Sequence, residues 1–453
     1  MMKQTRLITS VITLMAMLCL FSASANAGSG KWLSVTTGSE IAYTTHDTPK
    51  QPALDYNGKR MTVVYLTNLA CEKIGRVSNE ENIQWLLDEG YQVIELDYGH
   101  HAMTVSPYIN RDIIAINKAL NKGEFCGMEN ISADRAYILF EGYRIRRDVA
   151  YCKDDPTVYN YPEEYKTMEG DTLYMDIVYP ENPSRRVPTI LSFAYSNSYA
   201  GTAGEGYTAK YRHKRMFLGY TLAMFNDSFL EGAPAAGMAW AIADHPKYCD
   251  WGRGNRADGR QKEFGSIEIN PDAARKVHAA IRKLRSEGRK LRLGKDIALY
   301  GFSRGSTAAS LAIGDAPHKE WTRPTDGLSS KGSSKIQAAL LGPGVFDYAA
   351  MSESSREYKN MTTYCSSVHD SAEAWRQQGG IYGIKRRSVP CFLFYNTTDD
   401  AEYATQMKRL TDVLDRTGST YEMLTDYGKG HSVPQETDHL NRMYCFLKKV
   451  MGK

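Results

Sequence analysis

Ser303 sits between Gly301 and Gly305, and the three follow an apolar run, Ile297-Ala-Leu-Tyr300. A serine hydroxyl acts as a nucleophile only if it projects from a sharp turn toward a base. Glycines two residues before and two after it remove the side chains that would crowd that turn. The residues that follow, Ser306 to Ile313 (STAASLAI), have the small, helix-forming character of a helix packed closely on a sheet. Strand, tight turn and helix therefore predict a nucleophile elbow. Ser303 is its nucleophile, and the backbone N–H of Arg304 is placed to receive an oxyanion.

A serine nucleophile needs a base and a group to orient the base, and candidates for both follow downstream. Val389 to Tyr395 (VPCFLFY) reads as a short buried parallel strand. It runs into Asn396-Thr397-Thr398-Asp399-Asp400, a polar turn at the strand end where open parallel sheets build their sites. Asp399 is the preferred carboxylate, Asp400 is the alternative acid, and Asp347 after Gly344-Val345-Phe346 is a less favoured substitute. Tyr421 to Leu424 begins another strand, followed by Tyr427-Gly-Lys-Gly-His431-Ser432. A histidine on a glycine-flanked loop can reach over the sheet. In this assignment His431 takes the proton of Ser303 and Asp399 holds the imidazole. The second oxyanion donor is expected from the loop after Pro188 to Phe193, with Tyr195 preferred and Ala194 or Ser196 as alternatives.

The order Ser303, Asp399, His431 and the motif Gly301-Phe302-Ser303-Arg304-Gly305 resemble the α/β-hydrolase superfamily from about Tyr143 to the C-terminus. The resemblance is nearest to its dienelactone-hydrolase-like and prolyl-oligopeptidase-like esterase branch. Many relatives carry glycine where Asn396 stands. The resemblance implies an α/β fold with a mostly parallel sheet covered by helices on both faces, and a serine carboxylic-ester hydrolase working through an acyl-enzyme. That chemistry needs no cofactor. Exported relatives deacylate polysaccharides, which makes a polysaccharide or small-molecule ester the expected substrate. A prolyl-oligopeptidase-type peptidase and a non-catalytic binding protein on the same fold are the alternatives.

The elements that must position these residues are legible in outline. The chain has 453 residues. Lys3 and Arg6, the apolar run Leu7 to Phe21 and small residues at Ala25-Asn26-Ala27 read as a signal peptide removed after about Ala27. The protein is then exported, to the periplasm or beyond, and no later stretch is long and apolar enough to span a membrane. Residues 28–130 form an accessory segment, with strands at 61–67 and 91–97 and helices near 79–87 and 110–120. Residues 131–453 form the catalytic domain. Its strands fall near 143–151, 172–179, 187–194, 220–226, 296–301, 335–341, 389–395 and 420–425. A helix capped by Asn270 precedes the elbow, and a last helix covers 438–450.

Composition excludes several other functions. Net charge is +4 over the whole chain, and loss of Lys3 and Arg6 lowers it by two. Such balance gives no basis for nucleic-acid binding. The cysteines beyond the leader, at 71, 126, 152, 249, 365, 391 and 445, are odd in number and form no C-x-x-C pair. No metal site is expected, Cys391 and Cys445 read as free and buried, and the adjacent His100 and His101 read as loop residues. Two long stretches without periodicity, Ser228–Ile269 and Tyr348–Ser388, read as the substrate rim, their aromatics either stacking on sugars or packing the loops down. Oligomeric state is not encoded in any of these features.

Overall fold

The structure, a computed structural model, describes residues 26–54, 60–69, 75–99, 109–125, 128, 136–154, 171–193, 228–243, 270, 272–314, 319–322, 332–355, 358 and 372–452. Residues 1–25 of the proposed leader, Tyr195 with its alternatives Ala194 and Ser196, the strand expected at 220–226, His100 and His101 lie outside the described residues, whereas Asn26 and Ala27 open β1. So do cysteines 71, 126, 249 and 365.

Among the described residues, two mixed sheets carry the fold. The first holds β1 (Asn26–Leu33), β2 (Glu40–His46), β3 (Thr62–Thr67), β4 (Gln92–Asp97) and β5 (Tyr137–Phe140), in the order β1-β2-β4-β3-β5. The β3 strand (TVVYLT) is buried at every position and pairs in parallel with both β4 and β5, as expected of a strand covered on two faces. β1 and β2 are antiparallel additions at one edge. The helix Asn79–Asp88 crosses from β3 to β4. It starts at a capping box in which Ser78 and Glu81 satisfy each other's backbone N–H groups, and it buries Ile83, Leu86 and Leu87.

The second sheet holds β6 (Tyr143–Asp154), β7 (Asp171–Pro180), β8 (Thr189–Phe193), β9 (Ala239–Ala243), β10 (Ile297–Gly301), β11 (Ala338–Leu341), β12 (Cys391–Tyr395) and β13 (Tyr421–Thr425). Its order is β13-β12-β11-β10-β8-β9-β7-β6. From β13 to β9 every pairing is parallel. β7 then pairs antiparallel with both β9 and β6. The expectation of a mostly parallel sheet is therefore met only in part: the α/β class stands, with sheets of mixed direction. β9 lies within the stretch read from sequence as irregular rim. Its residues (AWAIA) are all buried, and the left-handed Gly237 (φ 78°) turns the chain into it.

Alternation along β10 shows why the sheet is covered on both sides. Ile297 and Leu299 join one buried cluster, with the helices Asp272–Lys290 and Ala401–Arg416. Ala298 and Tyr300 join the other, with the C-terminal helix Thr437–Met451. That second cluster runs without a break into the first sheet. Polar contacts pin the same junction. Tyr137 Oη donates to Asp176 Oδ2 (2.8 Å), Asn82 Nδ2 to the Tyr143 carbonyl (2.7 Å), and Asn117 Nδ2 to the buried Glu231 (3.1 Å). The N-terminal segment is thus packed onto the larger sheet. Sheet membership changes after Phe140, ten residues beyond the 130/131 junction placed from sequence.

Among the described residues no helix is long and apolar enough to cross a membrane, and no group of three or more His, Cys, Asp or Glu is placed to hold a metal ion. Cys391 is free and buried as expected, and burial pushes its thiol up to about 12. Cys445 is also free but exposed, because it occupies the outer face of the C-terminal helix. The rim aromatics Tyr348 and Trp375 are buried and meet edge to face at 5.7 Å, so these two pack the loop down.

The glycine before the elbow has no room for a side chain. A Cβ on Gly301 would lie 2.5 Å from Ser306 Cα and 2.6 Å from the Gly305 carbonyl oxygen, both rigid backbone. Gly301→Ala is expected to destabilise the protein by about 2 kcal/mol or more, lowering the thermal midpoint in a circular-dichroism melt. An unchanged midpoint would mean that the turn opens freely.

Candidate active site

Ser303 stands between β10 and the helix Arg304–Ser310 with φ 52° and ψ −125°. A non-glycine residue there is strained by about 1–3 kcal/mol, and such strain persists only where the surroundings enforce it. Here they do. Gly342 N–H donates to the Gly301 carbonyl (2.9 Å), Ser306 Oγ donates to the Gly342 carbonyl (2.8 Å), and Val345 N–H donates to Thr307 Oγ1 (2.9 Å). The elbow is thereby tied to the end of the neighbouring β11. The Ser303 side chain makes no capping bond to its own helix.

The acid turn follows β12 and the histidine loop follows β13, neighbouring parallel strands in register from Cys391↔Tyr421 to Tyr395↔Thr425. This pairing brings residues 32 apart in sequence into contact. His431 Nδ1 lies 2.8 Å from Asp399 Oδ2, with 5 % of the Asp399 side chain exposed. A carboxylate can only accept, so Nδ1 carries the proton and Nε2 is the basic nitrogen. The other Asp399 oxygen, Oδ1, accepts the Asp400 N–H at 2.7 Å, which fixes the carboxylate plane.

The two alternative acids are engaged elsewhere. Asp400 is the N-cap of the helix Ala401–Arg416, its Oδ1 accepting the Glu402 N–H at 3.0 Å. Asp347 caps the short 3-10 turn Tyr348–Ala350 through the Ala349 N–H.

Two aromatic rings lie against the imidazole. Phe302, next to Ser303 in the chain, has its ring centroid 4.6 Å from that of His431, and Tyr403 stacks on it at 4.7 Å and 20°. The Phe302 contact places the imidazole beside the elbow. Tyr427 Oη donates to the Ser432 carbonyl at 2.7 Å. Burial, reinforced by the Asp399 charge, pushes that phenol well above its ordinary range, so it remains a donor.

The structure therefore joins Asp399 and His431 at the ends of the neighbouring β12 and β13, with Ser303 at the end of β10, beyond the intervening β11, and Arg304 opening the elbow helix. Tyr403 was missed because the helix that carries it went unread in the sequence. The signal was present: an Asp400 cap followed by Tyr403, Met407, Leu410 and Leu414, all on one buried face.

An elbow after a central parallel strand and two polar loops after β12 and β13 complete the pattern. The fold is of the α/β class, with its larger sheet covered by helices on both faces. Solved structures of similar fold include a truncated carbohydrate esterase from gut microbiota (16 % identity, 69 % of this chain and 98 % of that one, TM-score 0.46). A bifunctional GH43-CE protein of Bacteroides eggerthii is 18 % identical over 68 % of this chain, which spans only 38 % of that longer one, at TM-score 0.45. Esterase 2 of Thermogutta terrifontis is 15 % identical over 69 % of this chain and 96 % of its own, at TM-score 0.42. No protein-family model and no curated protein matches the chain. Likeness this distant leaves substrate and mechanism to be argued from the residues themselves.

Proposed function

We propose that the protein is an exported serine hydrolase that cleaves carboxylic esters through Ser303, His431 and Asp399. The observation that carries the reading is the Asp399–His431 hydrogen bond beside a strained serine elbow. In the first half-reaction Ser303 Oγ attacks the ester carbonyl as His431 Nε2 takes its proton. The tetrahedral intermediate collapses, the alcohol leaves with that proton, and the acyl group stays on Ser303. Water then attacks the acyl-enzyme, giving up its proton to Nε2, and the carboxylic acid departs as Ser303 regains the proton. Asp399 stabilises the imidazolium formed in each half. The Arg304 N–H and the Tyr195 loop are the proposed oxyanion donors, each worth about 10²–10³ in rate.

Export is part of the same proposal. Cleavage after Ala27 would leave β1 paired with β2 from Gly28↔Thr45 to Leu33↔Glu40, so the leader can be lost without loss of the strand. Against a prolyl-oligopeptidase-type peptidase stands the N-terminal segment, which forms one five-stranded α/β sheet rather than propeller blades.

Purified protein lacking the leader is expected to hydrolyse short acyl nitrophenyl esters much faster than proline or alanine nitroanilides. Acetylated and feruloylated polysaccharides are the natural class to assay next. Amide cleavage at rates comparable to esters would transfer the assignment to the peptidase class, and absence of both activities would favour a binding protein.

A further inference from the structure

We infer that Asn396 is a positioning residue that holds the His431 loop in register with Asp399; the inference rests on the ester-hydrolase reading above. Asn396 is 1 % exposed and directly follows β12, three residues before Asp399. Its amide spans the histidine loop. Nδ2 donates to the Gly430 carbonyl (2.9 Å) and to Ser432 Oγ (3.0 Å), while Oδ1 accepts the Gly428 N–H (2.9 Å).

The partners dictate the orientation of the amide. A backbone N–H only donates and a carbonyl only accepts, so Oδ1 faces Gly428 and Nδ2 faces Gly430. Residues on both sides of His431, Gly430 and Ser432, are gripped by the same nitrogen. Thr398 adds a fourth tie, its Oγ1 accepting the Gly430 N–H at 2.9 Å. Gly430 has φ 58°, a conformation that an untethered loop would leave readily. The acid turn thus carries both the carboxylate that binds the imidazole and the amide that fixes the backbone bearing it. A second seam between the same loops lies at the exposed edge, where the Thr397 N–H and Oγ1 both donate to Asp426 Oδ1 (2.9 and 2.6 Å). That seam joins the loops without touching residues adjacent to His431 and provides the control.

The substitutions are Asn396→Ala, the near-isosteric Asn396→Asp, and Thr397→Ala. Asn396→Asp keeps the acceptor for Gly428 but sets an oxygen against the Gly430 carbonyl. Both Asn396 variants are expected to lose about 30–100-fold in kcat with KM within about twofold, the scale of an ångström-level misplacement of a catalytic group. Thr397→Ala is expected to stay within about threefold of wild type. A readout independent of ester cleavage is the His431 ring signal in protein labelled with 13C-histidine, assigned through His431→Gln. It should shift or broaden in the Asn396 variants and hold in Thr397→Ala.

Wild-type kcat with an unchanged ring signal in Asn396→Asp would overturn the inference. So would an equal loss in Thr397→Ala, or failure of Asn396→Asp to fold while Thr397→Ala folds, since Asn396 would then serve stability alone. If the wild-type protein cleaves no ester, the ester-hydrolase reading falls, and the ring signal still decides whether Asn396 sets the imidazole.

Discussion

Ser303→Ala is expected to lower kcat/KM toward short acyl esters by about 10⁴–10⁶ while the protein still folds. The size of the loss follows from the chemistry: without Oγ no acyl-enzyme forms, and what remains is attack by water on an ester held near oxyanion donors. Folding should survive because the elbow is held by bonds among Gly301, Gly342, Ser306, Thr307 and Val345, none of which uses the Ser303 side chain. A thermal midpoint close to wild type, measured alongside the kinetics, separates lost chemistry from lost structure. Retention of more than about a hundredth of the activity would remove Ser303 from the mechanism.

The second large effect separates two neighbouring carboxylates. Asp399→Asn is expected to cost about 10⁴ in kcat, because an amide that turns its N–H toward the ring favours the wrong imidazole tautomer and leaves the imidazolium without its counter-charge. Asp400→Asn should change kcat by no more than about twofold, since asparagine caps a helix about as well as aspartate and the Glu402 N–H keeps its acceptor. Parallel kinetics on the two variants decide the matter, and the reverse pattern would move the acid by one residue.

Much of this arrangement was legible in the chain because it is written in local chemistry. The elbow needs glycines at fixed offsets, the acid and base need polar turns after apolar strands, and Gly301, Asp399 and His431 satisfy those needs within a few residues each. β3, β4, β10 and β12 announced themselves as apolar runs. What escaped was structure fixed by tertiary context. The β1 sequence (NAGSGKWL) has no strand pattern and owes its state to pairing with β2. β9 (AWAIA) is rich in alanine, a weak strand former, and becomes a strand because β8 and β7 flank it. β5 is too short at four residues to show a period, and its place in the first sheet appears only in its pairing with β3. β2 could have been read: Ile41, Tyr43 and Thr45 alternate inward.

The site divides along the same line. Residue types that do chemistry are few, and their order along the chain constrains them strongly. The groups that support them come from anywhere the fold delivers them. Phe302 lies beside Ser303 in sequence, but its contact with His431 exists only because the histidine loop folds back over β10. Tyr403, four residues past Asp399, reaches the same imidazole from the helix Ala401–Arg416. Asn396 is visible in the sequence only as an unusual residue at a strand end. Its three bonds to the loop 428–432 appear once β12 and β13 pair.

The most direct test of the account is labelling with a fluorophosphonate probe, wild type against Ser303→Ala, with the modified peptide identified by mass spectrometry. The account predicts a single adduct on Ser303 in the wild-type protein and none in the variant. An adduct on another serine, or no adduct on folded wild-type protein, would contradict it.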